Sequence, residues 1–283
     1  MSGTDQKGAS MARSVEILRL VIDVACAICL TLALVTPVWF LVAAFGTKWE
    51  FWDWHTGLQS MTLAWGMRLL LAGLVACVFA AIAIGVHGFV GRAFYGNWLS
   101  VLAVGLIAVS GTALAWNINR LRAADPVILD VTTDFVDPPH FSVAFVGRRS
   151  ALDLGLDYAA KLTGEGEPYP DVQTRLYPEI APLHLAAAPE DAYRYALETA
   201  REGGWRIATA SQSAGMFEAG AEGFWYGFRD DMVVRIRPDE AGGSLVDVRS
   251  LARQPVPDGG RNAQRVADYL AELAAGQAGS QSR

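Results

Sequence analysis

Cysteine, histidine and charge are all scarce in this chain, and each is scarce in a particular place. The three cysteines, Cys26, Cys29 and Cys77, fall within the first 119 residues, so no disulfide can staple the remainder. Of the four histidines only His140 and His184 lie beyond that block, and no H-E-x-x-H, G-x-S-x-G, P-loop or G-x-G-x-x-G pattern occurs. The local signatures of zinc hydrolases, α/β-hydrolases and nucleotide binders are therefore missing, and no cofactor is expected. Residues 1–119 hold 6 of the 23 Lys and Arg and 5 of the 29 Asp and Glu, which leaves residues 120–283 with 17 basic and 24 acidic side chains, a net charge of −7. That excess repels phosphate backbones and argues against a nucleic-acid partner. It would equally fail to hold the domain to an anionic bilayer surface.

What fills the first 119 residues is apolar. Uncharged runs extend over Val24–Thr47, Leu69–Gly91 and Ala93–Asn119, each longer than the ~20 residues a helix needs to cross the hydrocarbon. Three transmembrane helices are predicted, at about residues 24–47, 69–91 and 97–117. A cleavable signal peptide would explain only the first run, so the anchor is expected to persist. Seven of the nine tryptophans lie in this block. Trp98 and Trp116 are 18 residues apart, or ~27 Å along a helix, which suits the two faces of a bilayer. Gly73, Cys77, Ala81 and Gly85 recur every fourth residue and predict a smooth packing ridge. The C-x-x-C of Cys26 and Cys29 reads as small packing residues, because a thiolate in an apolar helix would be badly desolvated. Pro37 is expected to kink the first helix.

Between the first two runs, Trp49, Phe51, Trp52, Trp54 and Trp65 alternate with Glu50, Asp53 and His55. This mixture fits a segment lying in the headgroup layer, and its spacing matches no standard metal site. Orientation is tied by basic count: Lys7, Arg13, Arg19 and Arg92 fall on one side, and Lys48, Arg68, Arg120 and Arg122 on the other. The three basic residues ahead of the first helix favour a cytoplasmic N-terminus. The expected location is then the inner membrane, with residues 120–283 in the periplasm.

The fold class expected is a membrane protein with a three-helix anchor and an α+β domain, in which a four-stranded antiparallel sheet is flanked by two helices. Residues 120–186, rich in Pro, Gly, Asp and Tyr, read as an extended arm, 187–275 as the α+β core, and 276–283 as a disordered tail of Gly, Gln and Ser. Pro189, Glu190 and Asp191 suit the first turn of a helix and Gly203 its end. "WRIATAS", "MFEAGAE", "DMVVRIR" and "SLVDVRSL" follow as strands, the last two divided by "PDEAGG". Pairing Pro238 with Ser244 sets Arg235 opposite Asp247, with Arg237 and Arg249 on one wet face and Met232, Val234, Ile236, Val246 and Val248 on the buried one. A last helix, capped by Asp258, carries Ala263, Val266, Leu270 and Leu273 toward that buried face.

Several separated motifs along this second part, "DVTTDFVDPPHF", "YPEIAPL", "FWYGFRDDMVVRIRP", and "VDVRSLAR" followed by Asp258, Gly260, Asn262 and Arg265, resemble the DUF1499 family of bacterial envelopes and plastids. The chain departs from that family at Ala252, Arg253, Gln254 and Pro255, where members tend to carry Ser-Arg-x-Gly. The resemblance implies a fold and an envelope setting, and no reaction.

Two groups of residues merit weighing as a ligand site. Arg249, Arg253, Arg261, Asn262 and Arg265 could converge where the last strand meets the last helix and hold a carboxylate or phosphate; the plainer reading pairs Arg249 on its own sheet, Arg265 with Asp268, and Asn262 with backbone. Trp225, Tyr226 and Phe228 could form a stacking shelf, or plug the end of the sheet. Asp230 and Asp231, adjacent in sequence, would point to opposite faces and cannot act as a carboxylate pair. Asp130, Asp134 and Asp137 lack the glycine turn of a calcium loop and read as turn carboxylates. The expected partners are the lipid bilayer and either another envelope protein or a second copy. A non-catalytic binding or assembly role leads, with an enzyme or sensor for an anionic envelope metabolite as the alternative.

Overall fold

The computed structural model describes residues 3–91, 95–124, 128–142, 157–256 and 259–281. The chain divides into two compact units, one of residues 1–119 together with Trp225–Gly227, the other of the remaining residues.

The first unit is helical. α1 (Gly3–Lys48) runs through Pro37 without interruption, and α2 (Met67–Gly91) and α3 (Trp98–Ala124) follow. All three are long and apolar enough to cross a membrane. The aromatic segment between the first two spans is mostly helical: 49–53 turn, and a π-helical stretch, His55–Gly66, leads directly into α2. Asp53 accepts the Thr56 N–H at 2.8 Å and so opens that stretch, while Trp39 donates its indole N–H to the Met61 carbonyl at 2.8 Å. A polar-looking sequence thus stays helical because its ends and one mid-segment carbonyl find partners.

Packing between these helices uses small residues. Cys26 and Cys29 are buried with Ile22 and Ala25 of α1 against Ala80 and Ala83 of α2 and Val101 and Val104 of α3. They are free thiols. The glycine ridge of α2 is used over half its length: a β-carbon on Gly73 would touch Val104, and Cys77 lies against Gly105, whereas Ala81 and Gly85 are exposed.

The second unit is built on an antiparallel sheet with six strands, not four. β1 (Asp130–Thr132), β2 (Leu183–Leu185), β3 (Arg206–Ser211), β4 (Met216–Glu222), β5 (Arg229–Pro238) and β6 (Ser244–Ala252) follow in chain order. The sheet order is β1-β6-β5-β4-β3, with β2 also on β6. The two extra strands come from the segment expected to be an extended arm. Each is three residues long, too short to show a period, and each exists because β6 offers a free edge: β2 takes Ser244 to Val246, β1 takes Arg249 to Leu251. Between them Thr133 covers the gap, its N–H donating to Val248 O and its Oγ1 accepting from Val248 N, both at 2.9 Å. β6 therefore has no exposed edge there.

The β5–β6 register is the one the turn predicts, with Pro238 opposite Ser244 and Arg235 opposite Asp247. Met232, Val234, Ile236, Val246 and Val248 all enter the core. Asp230 and Asp231 both belong to β5. α4 (Tyr169–Leu176) belongs to the arm, and α5 (Pro189–Glu202) and α6 (Arg261–Gln281) cover the apolar face. α5 begins on Pro189 and stops at Gly203, although the left-handed residue at its end is Gly204, φ +82°. The cap assigned to Asp258 lies outside the described residues. α6 continues to Gln281, beyond Ala275 where composition predicts a disordered tail. One reason is that Gly276 fits closely under the hydroxyl of Tyr195 on α5, which also donates to Glu272 O at 3.2 Å.

Candidate functional site

The sheet face away from α5 and α6 is where the charged residues of β5 and β6 gather, and over the middle of these strands it is buried, not wet, while Arg237 stays 38% exposed. Asp231, Val233, Asp247, Arg249 and Leu251 are all within a few per cent of full burial. The cover comes from the arm, whose Phe141 packs on Val233 and Leu251. A sequence in which β6 alternates charge with valine gives no sign of this, because the covering residues are about a hundred positions away.

Burying that face requires every charge on it to be matched. Arg249, 1% exposed, forms a two-pronged pair with Asp130 of β1, Nε to Oδ1 at 3.1 Å and Nη2 to Oδ2 at 2.8 Å. Lys161 closes on the same carboxylate. The Arg249 guanidinium also lies 6.0 Å from the ring centroids of Phe141 and Tyr158. Tyr158 donates to Gln173 Oε1 at 2.6 Å, and Gln173 in turn clasps Thr132, accepting from its N–H at 3.0 Å and donating to its carbonyl at 2.7 Å. Burial, with the Asp130 charge adding to it, pushes the Tyr158 phenol far above its ordinary value, the Arg249 charge opposing.

Two further knots flank this one. Asp247 accepts from Arg235 (Nη2, 3.0 Å) and Arg237 (Nε, 3.0 Å), and Arg235 reaches on to Asp137 at 2.8 Å and Asp134 at 3.3 Å. Asp134 also caps its own turn, accepting from the Val136 and Asp137 N–H groups, so the turn reading holds for Asp134 and Asp137, whose charge fastens the arm as well, but not for Asp130, a buried residue of β1. On the other side Glu218, 3% exposed, accepts from the Ser142 N–H and hydroxyl and from Thr209 Oγ1 at 2.7 Å. The network missed by the sequence reading is this one: Lys161, Tyr158, Gln173 and Glu218 have no local signature, and only the long-range packing of the arm on the sheet gathers them around Asp130, Thr132 and Ser142.

The arginine cluster proposed from sequence does not converge. Arg249 and Arg253 lie on the arm side, Arg253 donating to Asp231 at 2.9 Å. Arg265 lies on the helix side, paired with Asp230 and not with Asp268, which takes Gln264 at 2.8 Å. Asn262 joins the two layers: it accepts from Ser250 Oγ at 2.6 Å and donates to the carbonyls of Ser250 (3.1 Å) and Leu129 (3.4 Å). Arg261 is exposed at the start of α6. Asp230 and Asp231 point to opposite faces, as alternation requires.

The aromatic stretch also separates. Trp225 and Tyr226 group with the first unit, where Trp225 lies 5.9 Å from Phe45 and Tyr226 shares a 2.7 Å hydrogen bond with Thr62. Phe228 remains with the sheet, its carbonyl accepting from the Gly223 N–H at 2.7 Å. None of the three belongs to the main core. Among the described residues no group of three His, Cys, Asp or Glu is arranged to hold a metal ion.

This geometry accounts for motifs spread along the second unit: the aspartate of "DVTTDF" holds the arginine of "VDVRSL", and Asn262 locks the last helix to the same strand. The family described as "Protein of unknown function (DUF1499)" matches residues 130–273. The chain belongs to the DUF1499 family. Its DUF1499 domain thus contains these charge knots and all six strands, with three apolar helices ahead of it. No curated protein matches the chain. Among solved structures, the crystal structure of TTHA0849 from Thermus thermophilus is 14% identical, covering 34% of this chain and 95% of that one, with a TM-score of 0.23.

Proposed function

We propose that this DUF1499 protein is a membrane-held, non-catalytic binding or assembly module of the cell envelope, with its sheet domain on the periplasmic side of the inner membrane. The observation that supports a non-catalytic reading is the matching of the buried charges: Arg249 with Asp130 and Lys161, Arg265 with Asp230, Arg235 and Arg237 with Asp247. Groups held this way give the domain its shape, whereas a general acid or base needs access to a substrate proton. The periplasmic side is supported by the basic residues Lys7, Arg13 and Arg19 ahead of the first span. Partners by this reading are the lipid bilayer and an envelope protein or a second copy. The alternative, an enzyme or sensor for an anionic envelope metabolite, keeps support at Arg253 alone of the original cluster, as that residue borders an open cleft.

The test has two parts. A reporter that works only outside the cytoplasm, fused after Arg283, is expected to be active, and activity confined to a cytoplasmic reporter would reverse the orientation. Cross-linking of the full chain in native membranes is expected to trap a stable complex with another protein or a second copy. A monomer that turns over a substrate would overturn the module reading.

A further inference from the structure

Trp225, Tyr226 and Gly227, the tip of the turn that joins β4 to β5, belong to the first unit and not to the sheet unit that flanks them in the chain. Each meets a different part of the helical unit. The Trp225 ring lies 5.9 Å from that of Phe45 on α1, and the Tyr226 hydroxyl shares a 2.7 Å hydrogen bond with Thr62 of the π-helical stretch. Gly227, φ +67°, passes so near the end of α1 that a β-carbon on it would lie 3.1 Å from Lys48 Cα, and glycine suits both the conformation and the approach.

These contacts fix the level at which the tip sits. Phe45 lies within the uncharged run of α1, three positions before Lys48, and Thr62 lies seven positions after His55, where the second apolar helix begins. Lys48, Glu50, Asp53 and His55 mark the polar end of both segments. The tip therefore reaches past that end toward the apolar part of the spans, where a phenol hydroxyl needs a partner on the protein. The rings form one series: Trp225 beside Phe45, Phe45 stacked on Trp49 at 5.4 Å, and Trp49 edge-on to Phe51 at 6.1 Å. Within it Trp225 is 54% exposed, Trp49 62% and Phe51 73%. An exposed aromatic series is costly in water and matches the layer where tryptophan gathers at a bilayer surface, its ring in the apolar boundary and its indole N–H near water.

We propose that the β4–β5 turn is a further membrane-contacting element, seated in the lipid interface at the end of α1, with Trp225, Trp49 and Phe51 against phospholipid and Tyr226 held to Thr62. The inference rests on reading the three apolar helices as membrane spans, and adds to them a surface from a distant part of the chain. The occupant is lipid because the rings continue the apolar surface of the spans themselves, so whatever covers them lies in the same layer. The contact is apolar, so neutral phospholipid suffices and added salt does not weaken it. Trp225 and Tyr226 of the stacking shelf expected from the sequence thus serve a bilayer and not a soluble ligand.

The experiment places photoreactive benzoylphenylalanine at one position of the full chain in phosphatidylcholine vesicles and counts adducts by mass after irradiation. Trp225→benzoylphenylalanine keeps an aromatic ring beside Phe45. It is expected to give phospholipid adduct near the level of Leu34→benzoylphenylalanine, within the first span, and roughly tenfold above Val136→benzoylphenylalanine, the scale set by burying one aromatic side chain. Val136 is a fair control because it is 96% exposed and apolar yet sits in the turn of Asp134 and Asp137. The adduct at 225 should not change with salt. Adduct at Leu34 without adduct at 225, or equal adduct at Val136, overturns the seat and leaves the spans standing; adduct at none of the three overturns seat and spans together. Adduct from 225 to a second copy of the chain in place of lipid also overturns the seat, and supports association through the turn. A second measurement needs no photoprobe: the emission lost on Trp225→Phe is expected to be the part quenched by phospholipid with brominated acyl chains. If the lost emission is quenched only by iodide in the water, the seat is overturned.

Discussion

At the scale of single residues, burial decides what a charge is for. Arg249 and Asp130 are each about 1% exposed, and removing Asp130 leaves Arg249 and Lys161 without their shared carboxylate in the interior. Asp130→Ala is therefore expected to destabilise the domain by about 3–5 kcal/mol, read from urea unfolding of the detergent-solubilised chain, while the exposed Arg261→Ala should change stability by less than about 0.5 kcal/mol. Equal effects from the two would mean the pair is not buried. Gly243 is a backbone case: its φ is +85°, and a β-carbon there would overlap the carbonyl oxygen of Leu185. Gly243→Ala should cost more than the ~1 kcal/mol of the left-handed conformation alone. The tyrosines give a pH prediction. Burial raises Tyr158, Tyr169 and Tyr269 above the ordinary value of 10.0, so the folded state keeps protons that the unfolded chain releases. Their contribution to stability is complete below pH ~10 and declines as the pH rises above it. Phenolate absorbance from these rings should appear together with loss of structure. A full phenolate signal on an intact fold would refute their burial.

At the scale of elements, the arm and the sheet hold each other. β1 and β2 are three residues each and have no stability of their own, yet they close the edge of β6 and bring Asp130, Asp134, Phe141 and Ser142 over its charged face. β3 is the opposite case. It lies at the far edge of the sheet, its residues are largely exposed, and its pairing with β4 is irregular between Ile207 and Thr209. Amide exchange should accordingly be slowest in β5 and β6 and fastest in β3. Exchange in β6 as fast as in β3 would show that the arm does not cover it. The hairpin register was legible because Pro238 and the glycines at 242 and 243 fix the turn, and alternation then assigns every side chain to a face. The arm was not, since a strand of three residues has no period to read and the partner of β1 is over a hundred residues distant.

At the scale of the whole molecule, the composition of the chain divides it. Residues 1–119 carry three helices long and apolar enough to cross a membrane, so salt or alkaline washing of membranes is expected to leave the chain in place and only detergent to release it; release by high salt would contradict the three spans. That division follows from hydropathy alone, because transfer to hydrocarbon sums over residues without regard to what they later touch. The same is true of the helix ends at Pro189 and Gly203 and of the β5–β6 pairing, which are local. The tertiary structure decided the rest: that the second face of the sheet is dry over the middle of β5 and β6, that Arg249 belongs to Asp130, that Arg253 and Arg265 point apart, and that Arg206 and Arg229 meet on Glu222. Each of these depends on which distant strand lies alongside, and ion pairing in an interior is set by that neighbour far more than by the residue's own place in the chain.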